Sequence, residues 1–283
     1  MEYSKDYKFI PMTSIKSGLG IDVTPDIHCL PIQIVNVCFI GNPQETNECV
    51  LIDTGMPKSA DQIISALTNR FGPDIQVKAI ILTHGHFDHI GAVIELIKKW
   101  DVTVYAHELE LPYLTGKMSY PEPDSRVEGG LIAKISSFFP NEPINLDHHV
   151  KLLPADGIIP ELPDWKWIHT PGHSPGHISL FRQKDRVLIA GDAFITVRQD
   201  SLYKVFTQQQ EINGPPRYFT TDWQKAWHSV KQLANLQPSI AITGHGTPVS
   251  GESLTTGLNE LAENFDQLAI PDYGRYVDNK EEN

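Results

Sequence analysis

The run THGHFDH at residues 83–89 has the residue types and the spacing of a two-metal site. His84 and His86 are two residues apart in an expected loop and can turn towards one point, whereas Asp88 and His89 are expected to project from the first turn of a following helix. Imidazole nitrogen suits zinc, and a carboxylate can complete or bridge such a site. A preset H-x-H-x-D-H pattern arises in a chain of this composition with a chance probability on the order of 10⁻³. Taken singly, Asp88 could instead be a helix cap and His84 a polar loop residue.

Three further candidate ligands follow later strands. His173 is at the centre of HTPGHSPGH, residues 169–177, where Pro and Gly fix a tight turn. Asp192 ends the apolar run VLIAGD, and a buried carboxylate costs free energy unless it is paired or bound to a cation. His245 lies between two glycines, which let the backbone pass close to a site. The alternatives are a turn with surface histidines, a capped turn and an ordinary loop histidine.

Three other polar residues are predicted to support the ligands rather than to bind metal. His169 and His177 flank the same Pro/Gly turn, which has room for one or two ligands. Asp53, in LIDTG, is expected to orient a ligand histidine, with a turn aspartate as the alternative.

Hydrophobic periodicity predicts the elements that position these residues. The first half indicates strands at 32–40 and 49–55, a helix from Ser59 with a Ser59/Gln62 capping box, a strand at 78–85, a helix from 87 or 88 to 100, and a strand at 102–107. The second half indicates strands at 165–170, 177–183 and 186–192, a helix capped by Thr221 and Gln224, a strand at 239–246, and a helix after Ser250. This order predicts an α/β fold in which helices pack on sheets.

Two irregular segments, 108–150 and 200–220, interrupt this order and are predicted to be insertions or a lid over the site. The first contains one possible amphipathic helix at 131–139. Six aromatic residues of these segments either line the substrate pocket or pack within the lid: Tyr113, Tyr120, Phe138, Phe139, Phe206 and Tyr218.

Composition predicts one domain over residues 1–283 and a small-molecule substrate. The net charge of −12 is scattered, so the protein is expected to repel nucleic acid. Three cysteines without C-x-x-C spacing predict buried thiols. The N-terminus has no apolar signal core and no run is long enough to span a membrane, which predicts a cytoplasmic protein. The sequence leaves the oligomeric state open.

The motifs THGHFDH, GHSPG, GDAF and GHG, in this order between Asp53 and His245, resemble the metallo-β-lactamase superfamily. The resemblance implies an αβ/βα four-layer sandwich with its site at one edge of the sheets. It also implies two Zn²⁺ ions, with iron or manganese as alternatives, and a hydroxide nucleophile held between them. By the family pattern, one metal is held by His84, His86 and His173, the other by Asp88, His89 and His245, with Asp192 bridging. Asp88 would also move a proton to the leaving group.

An aspartate at position 192, where some zinc β-lactamases have cysteine, resembles the glyoxalase II and lactonase branch. The lactonase tyrosine is absent, since AFITV follows Asp192, and the C-terminal tail is acidic where glyoxalase II has a basic segment. The subfamily is therefore unassigned. The leading hypothesis is a dinuclear zinc hydrolase of a small ester, lactone, thioester or amide. The alternatives are a mononuclear-iron, persulfide dioxygenase-like oxidoreductase and a phosphodiester hydrolase.

Overall fold

The computed structural model describes residues 1–8, 10–199 and 201–277, and within them two mixed β-sheets lie face to face. In spatial order, the seven-stranded sheet comprises β1 (Ile21–Thr24), β2 (Ile27–Ile32), β3 (Val35–Ile40), β4 (Glu48–Ile52), β5 (Gln76–Ile81), β6 (Val104–Ala106) and β7 (Val150–Leu152). The six-stranded sheet comprises β8 (Ile158–Ile159), β9 (Leu162–His169), β10 (Ile178–Arg182), β11 (Val187–Gly191), β14 (Ile240–Thr243) and β15 (Val249–Ser250), and a separate pair joins β12 (Ile195–Val197) to β13 (Gln210–Asn213). Strands β4 to β7 pair in parallel, as do β11 and β14.

Helices cover the outer face of each sheet. The helices are α1 (Ala60–Phe71), α2 (Val93–Trp100), α3 (Leu111–Leu114), α4 (Leu131–Ile135), α5 (Leu202–Thr207), α6 (Trp223–Asn235), α7 (Gly251–Glu263) and α8 (Phe265–Leu268). The helices α1 and α2 pack on the seven-stranded sheet, whereas α6 and α7 pack on the other. The order of layers is helix, sheet, sheet, helix, so the predicted four-layer α/β sandwich is confirmed.

Side chains of the central strands alternate between two apolar cores, so these strands are buried on both faces. In β5, Ala79 and Ile81 face the opposite sheet, while Ile80 faces α1 and α2. In β11, Ile189 faces the opposite sheet and Leu188 faces α6 and α7. This alternation follows from the two-residue period of a strand. Continuous apolar runs in the sequence are therefore what these doubly covered strands require.

Several predicted elements have different boundaries in the structure, and two of these differences have a clear cause in the backbone. The strand predicted at 32–40 begins at Val35 instead, because Gln33 has a φ of 59° and turns the chain between β2 and β3. The helix predicted from 87 or 88 begins at Val93 instead. The backbone N–H of Gly91 donates to the Gly55 carbonyl at 2.8 Å, which holds this stretch in a turn before the helix. Asp88 and His89 therefore lie in that turn.

Both predicted capping boxes are wrong, although the helices exist. The Ser59 hydroxyl donates to the Met56 carbonyl at 2.7 Å and makes no cap bond to α1. Helix α6 is capped by Asp222, one residue after Thr221, and its carboxylate accepts from Lys225 N at 2.9 Å. At α1, the Ser59 hydroxyl bonds a nearby backbone carbonyl instead of capping the helix. At α6, the carboxylate of Asp222 takes the capping position that was predicted for Thr221.

The segments 108–150 and 200–220 contain short helices and turns, and their role as a lid stays a prediction. The single domain predicted over 1–283 includes residues 9, 200 and 278–283, which lie outside the described residues. Cys29, Cys38 and Cys49 are free and buried, as predicted. Within the described ranges, no helix combines the length and apolar character that crossing a membrane requires.

Candidate metal centre

The structure brings all seven predicted ligands to one edge of the two sheets. Each follows a strand end: two after β5, two in the turn before α2, and one each after β9, β11 and β14. All seven residues are at most 5% exposed. These residues are His84, His86, Asp88, His89, His173, Asp192 and His245.

Three overlapping groups of ligand atoms lie close enough to hold metal ions. Within each group the donor atoms are within 4.8 Å of one another; the groups are His84, His86 and His173; His84, His89 and Asp192; and Asp88, His89 and His245. Asp192 Oδ2 lies 3.2 Å from His245 Nε2, 3.4 Å from His173 Nε2 and 3.6 Å from His89 Nε2. The centre has two predicted halves, one for each metal ion: His84, His86 and His173 form the first, and Asp88, His89 and His245 form the second. One oxygen of Asp192 therefore lies between histidines of both halves.

Unpartnered buried atoms show that these residues fit a metal. His84 Nε2, His89 Nε2 and Asp192 Oδ1 are buried and have no hydrogen-bond partner among the described residues. A buried polar atom without a partner costs free energy, and imidazole nitrogen and carboxylate oxygen are zinc and iron donors. Metal ions held by these donor groups would satisfy all three atoms.

Asp53 holds His89 in a defined orientation. Its φ is 60°, and its carboxylate accepts from Thr83 N and Thr83 Oγ1, each at 2.7 Å. His89 Nδ1 donates to Asp53 Oδ2 at 2.8 Å, which leaves Nε2 for a metal. This is the contact expected of a carboxylate that orients a ligand histidine.

We expect Asp53→Asn to weaken metal binding by about 10–100-fold, because support of a ligand histidine has this effect. If the amide oxygen takes the place of Oδ2, the amide N–H group faces the backbone N–H of Thr83, which loses its acceptor. If it takes the place of Oδ1, an amide N–H faces His89 Nδ1 and favours the wrong tautomer. Titration with a competing chelator measures the change. Asp61→Asn, at an exposed position of α1, is the control. Wild-type metal affinity in Asp53→Asn would contradict this role.

The seven-stranded sheet orients His245, which belongs to the other sheet. His245 Nδ1 donates to the Ile34 carbonyl at 2.8 Å. The Asn36 amide donates to the carbonyls of Thr243 at 2.8 Å and Gly246 at 2.6 Å, and its backbone N–H donates to the Gly244 carbonyl. Sequence reasoning missed Asn36, because a single Asn in an apolar strand gives no signal of a partner so distant in sequence.

The two histidines predicted as supports have different surroundings. His177 Nε2 accepts from the backbone N–H of Asp192 at 2.8 Å, and burial lowers the pKa of His177 to about 3. This ring therefore holds Asp192 in place as a neutral acceptor. His169 is outside the three metal groups; its Nε2 contacts the Pro175 carbonyl at 2.9 Å and its ring stacks on His107.

The electrostatic environment divides the predicted ligand histidines into two sets. Burial lowers the pKa values of His84, His86 and His173, that of His86 to about 4, so these rings are neutral near pH 7. Burial also opposes the charging of His245, but Asp192 and Asp88 outweigh it and raise its pKa to about 10. A metal ion bound by His245 would therefore displace a proton.

Aromatic residues from both irregular segments contact His86, and Tyr120 does so edge-on with ring centroids 4.5 Å apart. Phe219 stacks on His86, with ring centroids 4.5 Å apart, and Thr220 Oγ1 contacts His173 Nδ1 at 3.2 Å. Of the six aromatic residues singled out from the sequence, Phe138 and Phe206 are exposed, whereas the others are buried: Tyr113, Tyr120, Phe139 and Tyr218. Sequence reasoning missed Phe219 and Thr220, although Phe219 adjoins the predicted Tyr218.

Comparison with known proteins identifies the family. The model of the metallo-beta-lactamase superfamily matches residues 31–245. The chain is 50% identical over 262 residues to the probable metallo-hydrolase YflN of Bacillus subtilis, which covers 92% of this chain and 98% of that protein. It is 31% identical over 155 residues to the hydroxyacylglutathione hydrolase GloC of Haemophilus influenzae, covering 55% of this chain and 65% of that protein.

A solved structure has the same fold. It is described as TTHA1623 in a di-iron-bound form; it is 27% identical, has a TM-score of 0.52, and covers 82% of this chain and 93% of that chain. Residues 31–245, which the family model matches, contain the whole cluster of buried histidines and aspartates. With its fold, its clustered donor groups and these relatives, the chain belongs to the metallo-beta-lactamase superfamily and is a metallo-hydrolase.

Proposed function

We propose that the protein binds two Zn²⁺ ions and hydrolyses a small ester, lactone, thioester or amide. The observation that carries this proposal is the position of Asp192 Oδ2, within 3.6 Å of histidines from both halves of the centre. A single metal, as in the persulfide dioxygenase alternative, would leave one buried donor group without a cation. The di-iron form of TTHA1623 makes iron the first alternative metal.

Two metal ions bound at such a centre supply polarisation of a carbonyl oxygen and activation of water at neutral pH. The side chains of this protein provide the rest. Asp88 Oδ2 lies 3.4 Å from His245 Nε2, and although burial raises the pKa of Asp88, His89 and His245 outweigh it and keep the carboxyl ionised. Asp88 can therefore accept a proton and deliver it to a leaving group. Phe219 shields His86 from water.

The substrate that we propose is a small molecule with an activated carbonyl. The depth of the centre favours a small ligand, and the net charge of −12 opposes nucleic acid. The name of the Haemophilus relative, a hydroxyacylglutathione hydrolase, supports a thioester as the first class to test.

Metal analysis followed by a substrate panel tests this proposal. We expect two equivalents of metal in zinc-reconstituted protein, and hydrolysis of at least one among a glutathione thioester, a lactone, a simple ester and a β-lactam. Binding of fewer than two equivalents of metal after reconstitution would contradict the proposal. Cleavage of bis(p-nitrophenyl) phosphate alone, or oxygen uptake with glutathione persulfide in an iron-loaded protein, would favour one of the two alternatives instead.

A further inference from the structure

Glu110 is a fully buried carboxylate that is not among the predicted ligands. It ends the 3-10 helix Glu108–Glu110 directly after β6, and its exposed fraction is 0%. Glutamate is almost never fully buried unless its oxygens are paired. The hydrogen-bond partners of Glu110 in the described chain are backbone and hydroxyl donors, not cations. An ion pair therefore does not explain why Glu110 is buried at this position.

The two oxygens of Glu110 contact two different loops of the metal centre. Oε2 accepts from Gly85 N at 3.0 Å, and also from the Tyr120 hydroxyl, which itself contacts Gly85 N at 3.0 Å. Oε1 accepts from Gly176 N at 2.7 Å and from Ser174 Oγ at 2.8 Å. Four donors thus satisfy one carboxylate, and the carboxylate connects the two loops.

Both loops carry glycine where Glu110 and Tyr120 approach most closely. A Cβ atom on Gly85 would lie 2.6 Å from the Tyr120 hydroxyl oxygen and 3.4 Å from Glu110 Oε2. A Cβ atom on Gly176 would lie 2.8 Å from Glu110 Cγ and 2.9 Å from Oε1. These close approaches explain the glycines in THGH and SPGH, since any other residue would separate the loops from this carboxylate.

The two loops supply one half of the centre. Gly85 lies between His84 and His86, and Ser174 follows His173 directly. These three histidines form one of the donor groups that could hold a metal. The other half has its own support, Asp53.

We propose that Glu110 is a positioning residue, which fixes the distance between the two loops and so enables the three-histidine half of the centre to bind its metal ion. The inference rests on the proposed function, because it concerns the same two-metal site. The distinctive consequence of this role is selectivity. Loss of Glu110 should weaken the binding of one metal ion and leave the binding of the other unchanged. A role in folding alone would lower protein stability without separating the two metal affinities.

Glu110→Gln tests this selectivity, with the exposed Glu108→Gln on the same 3-10 helix as its matched control. Glutamine keeps the shape, but it turns an N–H group towards one of the two loops. We expect one metal ion to bind about 10–100-fold more weakly and the second to keep its wild-type affinity. Competition with a chromophoric chelator gives both affinities, and Co²⁺ titration followed by visible absorption shows loss of one of two spectral components.

Ser174→Ala and Tyr120→Phe keep the test valid if Glu110→Gln fails to fold. Each variant removes one hydrogen-bond donor to Glu110 and leaves the carboxylate in place. Each should therefore weaken the binding of the same metal ion, but by less than Glu110→Gln does. Unchanged affinities in all folded variants, or equal weakening of both metals with a fall in the stability of the metal-free protein, would overturn the proposal. Failure of the wild type to bind two metals would instead refute the proposed function, before any variant is compared.

Discussion

Asp192→Asn is expected to lower kcat/KM by about a thousand-fold and to leave the protein with one metal ion or none. Asp192 Oδ2 is within 3.6 Å of three histidines, and Oδ1 is buried without a partner in the described chain. Burial opposes ionisation of Asp192, but His245 and His89 outweigh it and hold the pKa of its carboxyl well below the usual value. The neutral amide has no charge to share between two cations.

The expected thousand-fold fall in kcat/KM follows from the loss of the charge stabilisation that a metal ion gives to the transition state. A metal contributes several kcal/mol of such stabilisation, and about 4 kcal/mol corresponds to about a thousand-fold in rate. The measurement is kcat/KM on the best substrate of the wild type, with metal content of the same samples. Asp74→Asn, at an exposed position, is the control. A variant that keeps two equivalents of metal and activity within tenfold of wild type would refute the bridging position of Asp192.

Gly244→Ala is expected to disrupt the centre by the addition of one methyl group. A Cβ atom on Gly244 would overlap Asp192 Oδ1 and would lie 2.8 Å from His89 Cε1. The backbone cannot retreat, because Gly244 N donates to the Gly191 carbonyl and the Gly244 carbonyl accepts from Asn36 N, both at 2.7 Å. We expect at least about a hundred-fold loss of kcat/KM together with about 1–3 kcal/mol of destabilisation, the usual cost of overpacking.

Urea unfolding of the metal-free protein measures the destabilisation by Gly244→Ala separately from the loss of kcat/KM, because the overlap with Asp192 exists without metal. The control is Gly72→Ala, where a Cβ atom meets no described atom within 4 Å and the only cost is backbone strain at a φ of 91°. This control should lose stability but keep its activity per folded molecule. Full activity in Gly244→Ala would show that Asp192 does not need the space that the glycine provides.

The sequence predicted those parts of the site that depend on residue type and on strand ends. Apolar runs located β5, β11 and β14, and the polar residues directly after them are the ones that the structure gathers. The two glycines beside His245 were expected to permit a close approach, and Gly244 does so. Local composition is sufficient for these predictions, because a buried strand and the polar residue that ends it are adjacent in the chain.

Contacts between distant segments could not be predicted in this way. Glu110 reaches Gly176 across 66 residues, and no periodicity identifies a glutamate that will be buried by two loops. The start of α2 depends on the bond from Gly91 to Gly55, which lies outside any local window. The capping boxes failed for a related reason, since a cap competes with acceptors that the sequence pattern does not rank.

The bond between the Ile34 carbonyl and His245 spans 211 residues, and this separation gives the centre an order of assembly. During synthesis the β2–β3 hairpin leaves the ribosome long before the strand that carries His245. The donor group of Asp88, His89 and His245 is therefore incomplete until most of the chain has emerged and both sheets have docked. Under the proposed function, a metal ion can bind at that half only after synthesis has passed β14, so we expect nascent chains that stop earlier to hold at most the other ion.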